Sequence, residues 1–256
     1  MCGRFTRFAS PGRLADRFDA DFSDVSPSYN CAPGQDLPVI TNEQPDEATR
    51  MEWGLTPEWA DERFDLINAR GESVRDKRSF AEAFERRRCL VPADGFYEWA
   101  DRDGTDGGKR PYRVAFKDDR PFAMAGLYER WVPPTPATTQ TGLGAFGGGS
   151  DADATGDGAN SADGESDGER DGESDVVETF TVVTTEPNDL VADLHHRMAV
   201  VLEPDAEATW LHGTPDEAAA LAEPYPADEM TAYPVSTRVN SPANDEPGLI
   251  EPAGSD

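Results

Sequence analysis

A cysteine follows the initiator methionine in Met1-Cys2-Gly3-Arg4-Phe5-Thr6-Arg7. Aminopeptidases remove a leading methionine most readily when the next side chain is small, so the mature chain is expected to begin at Cys2. A free N-terminal cysteine carries an α-amine of reference pKa near 8 and a thiol near 8.5, both partly deprotonated at neutral pH. Such a 1,2-aminothiol reacts with an aldehyde in two stages. The amine forms a Schiff base, and the sulfur then closes a thiazolidine ring on the same carbon. An aldehyde is therefore its natural target. Terminal cysteines are also often inert, and that plainer reading stands beside the chemical one. Arg4 and Arg7 favour the chemistry, since cations beside a thiol lower its pKa and can hold an anionic substrate next to it.

Other polar residues sit in apolar or rigid surroundings. Glu98 lies between Tyr97 and Trp99. If half-buried, its carboxyl would be pushed toward neutrality and could give and take the protons that Schiff-base and thiazolidine formation require. Strand alternation equally allows it to face solvent. Asn68, in Leu66-Ile67-Asn68-Ala69-Arg70, could bond a sugar hydroxyl or an amine while Arg70 grips a phosphate in two-pronged fashion, although asparagine is more commonly a turn former. His195 could be a second acid/base group, at a helix end that favours its charged form; a histidine on a helix surface is the alternative. Trp53 and Trp59 could stack on an exposed base, with core packing the competing role, more so for Trp53.

The elements that must position these groups can be read from pattern. Ser10-Pro11 with Leu14 and Phe18 predicts a capped amphipathic helix of about ten residues. Residues 27–36 are rich in turn formers and lead into a strand at Leu37–Ile40, with another over Met51–Leu55 stopped by Pro57. Ser79-Phe80-Ala81-Glu82 has the form of a capping box and predicts a helix ending near Arg88. Cys89–Ala93 and Phe96–Trp99 read as two strands joined around the turn-forming Asp94-Gly95. Strands follow at Tyr112–Phe116, Phe122–Leu127 and Thr179–Val183. A helix over Pro187–Arg197 should present Leu190 and Leu194 to the core and deliver His195, His196 and Arg197 at its end. Then come a strand at Val200–Leu202, two short helices within 205–222, and a final strand at Val235–Val239. Strands with irregularly interspersed helices predict an α+β fold: a single domain over 1–256 with a mixed, barrel-like sheet core and flanking helices.

Residues 133–175 depart from this pattern. The segment is Gly, Ser, Thr, Ala and Asp with almost no apolar content, and ten acids face one arginine within 150–175. It is predicted to be a disordered acidic insertion, since strand-like sequence resumes directly after it.

The net charge is −28, from 51 acidic and 23 basic residues, and only three of the cations are lysines: Lys77, Lys109 and Lys117. An acidic, lysine-poor surface is what a salt-rich cytoplasm selects, so the charge reports habitat and does not exclude a polyanionic partner. Against the trend, residues 1–20 hold Arg4, Arg7, Arg13 and Arg17 with two acids, and residues 63–88 hold eight cations with five anions. Those local excesses suit a confined phosphate-binding surface. Cys2, Cys31 and Cys89 show neither a paired motif nor metal-ligand spacing, which fits a reducing cytoplasm with no metal and no cofactor. No apolar run approaches membrane-spanning length.

Seven segments together resemble one family, the abasic-site processing proteins, also called SOS-response-associated peptidases. They are Met1–Phe5, Tyr29–Gly34, Trp53–Pro57, Ile67–Arg70, Val91–Trp99, Leu194–Met198 and Val235–Asn240, in that order along nearly the whole chain outside 133–175. The resemblance implies that Cys2, freed by self-removal of Met1, captures the ring-opened aldehyde of an abasic deoxyribose in single-stranded DNA. The product would be a thiazolidine crosslink that shields the lesion, with abasic-site lyase activity a further possibility. It further implies that Asn68 orients the sugar and amine, that Glu98 donates and accepts protons, and that His195 assists Schiff-base chemistry and its reversal. Arg4, Arg70, Arg78 and Arg197 become phosphate contacts, and Pro33 and Trp59 shape a bent DNA path. Two positions depart from the pattern: Ala199 stands where proline is common, and His196 where an acidic residue is common, leaving His195 and His196 in competition. The implied protein is a cytoplasmic monomer acting in DNA repair. A thiol peptidase acting on other proteins and a non-covalent single-strand binding module are the alternatives.

Overall fold

A computed structural model describes residues 2–101, 108–134 and 176–254. The segment 133–175 predicted to be disordered therefore lies almost wholly outside the described residues. The first half of the chain contains β1 (Phe5–Arg7), α1 (Pro11–Phe18), β2 (Ser28–Cys31), β3 (Asp36–Thr41), β4 (Thr49–Trp53), β5 (Asn68–Arg70), α2 (Ala81–Arg86), β6 (Arg88–Ala93) and β7 (Gly95–Asp101). It continues with β8 (Lys109–Phe116), β9 (Phe122–Trp131), β10 (Val177–Thr185), α3 (Asp189–Ala192), β11 (Met198–Ala199), β12 (Val201–Leu202), α4 (Glu207–His212), α5 (Pro215–Ala220) and β13 (Met230–Pro234).

Five strands close into a ring. β10 pairs with β4 in parallel, and β4–β3, β3–β6, β6–β9 and β9–β10 pair antiparallel. Closure removes the exposed edges that an open sheet would leave. Side chains alternate between two cores, as the pleat requires. Val39, Val91, Met124 and Val182 join a cluster that includes Cys2, Phe5 and Phe96. Their neighbours Ile40, Leu90, Ala125 and Val183 pack with Leu14 of α1, Phe84 of α2 and Trp210 of α4. Gly126 sits where ring strands crowd: a Cβ there would lie 2.8 Å from both Cys89 Sγ and Val91 Cγ2. The mixed barrel with flanking helices expected from the sequence is thus observed. A second, wholly antiparallel sheet, in the order β13-β8-β7-β1-β2, packs beside it.

Several local expectations are corrected. Asp94-Gly95 does not turn a hairpin: β6 belongs to the ring and β7 to the second sheet. The carboxyl of Asp94 accepts from the amides of Phe8 and Ala9, its own N–H donates to Thr6 O, and Arg113 donates to its carbonyl. This crossing staples the start of the chain to the barrel. No capping box forms at Ser79, because Phe80 and Ala81 N–H already donate to Lys77 O and the chain is winding before Ser79 could cap it. Helix α2 stops at Arg86, and Arg88 is buried in β6, donating to carbonyls of Phe84, Trp210 and Gly213 near two helix ends, where a cation suits the dipoles. The helix expected over Pro187–Arg197 contracts to Asp189–Ala192, capped by Asn188, with Val191 its buried residue. Residues 28–31 form a strand where only turns were expected, and the last strand is Met230–Pro234, while Thr237–Asn240 turns in a short 3-10 helix.

Candidate active site at the start of the chain

β1 is held between β2 and β7 in the register Phe5↔Cys31 and Phe5↔Phe96. Tyr97 N–H donates to Arg4 O at 2.9 Å, so the pairing runs on toward the chain start and brings Cys2 and Gly3 beside Glu98. Cys2 is fully buried, its Sγ 4.0 Å from Arg4 O. Burial and the negative charge of Glu98 both push its thiol well above the usual range. In the resting fold the sulfur is a protonated thiol, contrary to the expectation that nearby arginines would lower its pKa.

Glu98 is 2% exposed, which resolves the alternation question. Phe96 and Glu98 point toward the core that holds Cys2, while Tyr97 packs on the other face against Val235, Val239 and Leu249. The C-terminal segment covers that second face, so neither face of β7 is left to solvent. Burial pushes the Glu98 carboxyl up to about 8. It is a proton donor at neutral pH and becomes a base once it has given its proton away.

Asn68 begins β5, which runs parallel to β10 in the register Val182↔Asn68. Its amide Nδ2 donates to Cys2 O at 3.0 Å. Its Oδ1 is buried with no partner among the described residues. That acceptor lies beside the Cys2 backbone, where an amine would need one.

His195 follows α3 and lies against His196, the ring centroids 4.3 Å apart and the planes tilted by 31°. Burial lowers its pKa, so the ring is held neutral. The expectation of a helix end favouring its charge is overturned, since α3 ends three residues earlier. Nδ1 accepts from Arg197 N–H at 3.1 Å and lies 3.2 Å from Arg197 O. One residue thus offers this nitrogen a donor when it is neutral and an acceptor when it is protonated. His196, by contrast, is exposed.

The four arginines implied as phosphate contacts separate into two pairs. Arg70 and Arg78 are exposed, and the Arg78 guanidinium lies 3.9 Å over the Trp59 ring. Trp59 is 39% exposed and meets Phe64 edge to face, whereas Trp53 is buried against Phe5 and Phe180. Arg4 donates to Asn30 Oδ1 and to the carbonyls of Val239 and Asn240, pinning the C-terminal segment. Arg197 is 7% exposed and donates through both terminal nitrogens to Glu72 at 2.8 Å, and to Thr184 O at 2.7 Å. Pro33 is exposed at the tip of a turn in which Gln35 N–H donates to Ala32 O and Gly34 takes φ +80°. That conformation puts Pro and Gly where a type II turn needs them.

Sequence reasoning passed over Glu72 and Lys109. The charge of Lys109 acts on both Glu98 and His195. β7 pairs with β8 in the register Glu98↔Tyr112 and Asp101↔Lys109, and no sequence pattern announces that pairing.

The ring of strands, with a buried cysteine at its side tied to an amide at 3.0 Å and set beside a buried carboxyl, defines an α+β barrel protein with a polar cluster at the chain start. The chain matches the SOS response associated peptidase (SRAP) family over residues 1–242 and belongs to that family. It is similar to abasic site processing protein YoqW of Bacillus subtilis (strain 168), with 36% identity over 262 residues that cover 98% of this chain and 99% of YoqW. It is also similar to abasic site processing protein HMCES of Gallus gallus, with 28% identity over 262 residues that cover 88% of this chain and 66% of that longer protein. A crystal structure of a protein from Bacteroides thetaiotaomicron shares the fold, with a TM-score of 0.74 at 24% identity over 98% of this chain and 100% of that one. No helix among the described residues is long and apolar enough to cross a membrane.

Proposed function

We propose that the protein captures abasic sites in single-stranded DNA as a covalent thiazolidine on Cys2. The observation that carries this reading is the convergence of Asn68, bonded to Cys2 O at 3.0 Å, and of Glu98, buried beside the same residue. Hydrolysis of the Met1–Cys2 peptide, performed by the protein itself, first exposes the amine. The amine adds to the aldehyde carbon of the ring-opened sugar. Glu98, protonated at neutral pH, gives its proton to the departing hydroxyl, so that water leaves and a Schiff base remains. The Cys2 thiol then adds to that carbon and passes its proton to the Glu98 carboxylate, restoring the acid. One water is lost overall. A thiol held protonated by burial adds only after the iminium has formed, which sets the order of amine before sulfur.

Asn68 Oδ1 accepts from the Cys2 amine, and neutral His195 relays protons during Schiff-base formation and reversal. Exposed Arg70 and Arg78 contact phosphates, Trp59 stacks on a base beside the lesion, and Pro33 deflects the strand. The protein works as a cytoplasmic monomer in DNA repair.

The test is the intact mass of the protein after incubation with a uracil-excised single-stranded oligonucleotide. The expected result is a 1:1 adduct, minus one water, formed by a chain beginning at Cys2 and absent in Cys2→Ala. A chain with a free Cys2 amine that retards the DNA but forms no adduct would replace this reading with non-covalent binding, and cleavage of added peptides would replace it with a thiol peptidase.

A further inference from the structure

We propose that the Glu72–Arg197 ion pair is the device that holds the His195 imidazole in its working orientation, making both positioning residues; this rests on His195 acting in the chemistry proposed above. The Arg197 side chain is fixed at three points: both oxygens of Glu72 at 2.8 Å and Thr184 O at 2.7 Å, at the end of β10. A planar guanidinium held in this two-pronged way has little rotational freedom. The backbone of the same residue brackets His195 Nδ1, with its N–H at 3.1 Å and its carbonyl at 3.2 Å. The peptide that touches the catalytic ring therefore belongs to the residue whose side chain is anchored. Fixing the guanidinium fixes the peptide, and the peptide fixes the ring.

The helix that was expected to carry His195 stops three residues before it, which gives this anchor its purpose. α3 ends at Ala192, and residues 194–197 run as irregular chain up to β11. The His195 N–H still donates to Val191 O at 2.8 Å, which fixes its backbone, and the ring is left to the Arg197 peptide. The guanidinium is 7% exposed and both terminal nitrogens are already bonded, to a carboxylate and to a carbonyl, which leaves only the buried Nε without a partner among the described residues. Glu72 is the half of the pair that can be changed safely, because its side chain is 55% exposed while that of Arg197 is 8%.

The experiment uses the full chain in two arms. In the first, single-turnover crosslinking is measured at saturating abasic single-stranded DNA, with affinity measured separately in the unreactive Cys2→Ala background. Glu72→Ala should slow crosslinking about tenfold through misplacement of the ring, with affinity unchanged, and Glu72→Asp should recover part of the rate. In the second arm, nitrogen-15 spectra of the histidine rings are recorded without DNA. Wild type should show His195 as a single neutral tautomer with its proton on Nε2, and Glu72→Ala should show tautomer averaging. A Glu72→Ala variant that alters DNA affinity at an unchanged saturated rate would overturn the proposal in favour of Arg197 as a phosphate contact. An unchanged His195 spectrum would overturn it as well. Should the wild type form no crosslink at all, the function proposed above fails, while the spectra still decide whether the pair orients the ring.

Discussion

The side-chain amide of Asn68 donates to the main-chain carbonyl of Cys2 at 3.0 Å, tying the first strand of the ring-bound β5–β10 pair to the first reactive residue of the chain. This bond ties the barrel to the segment before β1, and it holds Cys2 from its carbonyl side. Removing it by Asn68→Ala should slow crosslinking at saturating DNA by about a hundredfold, the scale seen when a single oriented hydrogen bond is lost from a reacting centre. Global stability should fall by only about 1 kcal/mol. Single-turnover rates set against urea melts separate the two effects.

Glu98 makes stability depend on pH with a definite sign. Its folded pKa, about 8, lies above the value near 4.3 of an unfolded glutamate. The unfolded chain therefore loses this proton first as pH rises. The stabilisation is fully present below about pH 4 and is lost progressively until pH passes through about 8. Glu98→Gln, which cannot ionise, should be more stable than wild type at pH 9 by up to about 5 kcal/mol, the linkage value of a rise from about 4.3 to about 8, with no difference near pH 4. Denaturant melts across that range check this, and the same variant should form the crosslink far more slowly at every pH.

Asp94 is buried and accepts from the amides of Phe8 and Ala9 just after β1. Burial raises its pKa while those two N–H groups and Arg113 pull it back down. Asp94→Ala would leave two amides short of an acceptor at the point where the chain start is stapled to the barrel. We expect a loss of roughly 2–4 kcal/mol in urea melts, with crosslinking reduced in proportion to the unfolded fraction.

With net charge −28, the protein as a whole should repel DNA at low ionic strength, against which the local cation excesses, such as that around Arg70 and Arg78, would act. Screening acts on the long-range repulsion more than on close contacts. Affinity for abasic single strands should therefore hold or rise as potassium chloride increases toward molar concentration, against the usual counterion-release trend. Anisotropy titrations over that range measure it; a monotonic rise in affinity as salt is removed would reject the prediction.

The members of the candidate site that the structure brings together stood out in the sequence because they lie in short, unusual contexts: Cys2 at the start, Asn68 between Ile67 and Ala69, Glu98 between two aromatics. Their roles depended on burial, which pattern could not supply. Glu98 was balanced between core and solvent until the C-terminal segment was seen to cover the far face of β7. Asp94-Gly95 misled because a hairpin dipeptide and a crossing between sheets share the same turn-forming chemistry; the difference is Arg113 and Thr6, distant in sequence, holding the peptide between them. The region before His195 misled because Leu190 and Leu194 keep helical spacing, yet β11 draws the chain back into pairing with β10 within a few residues. The alternating apolar strands, by contrast, gave a barrel-like sheet correctly, since period-two patterning survives whichever partner a strand finds.

The residues at which β9 ends and β10 begins, Trp131 and Val177, face each other as a registered pair. Whatever chain joins them starts and finishes at one spot on the ring, so the join has the status of a hairpin loop of arbitrary length. Each doubling of such a loop costs only about 0.6 kcal/mol in closure entropy. The connection can therefore be lengthened, acidified or shortened at little cost to the ring, without disturbing the strands that hold Cys2.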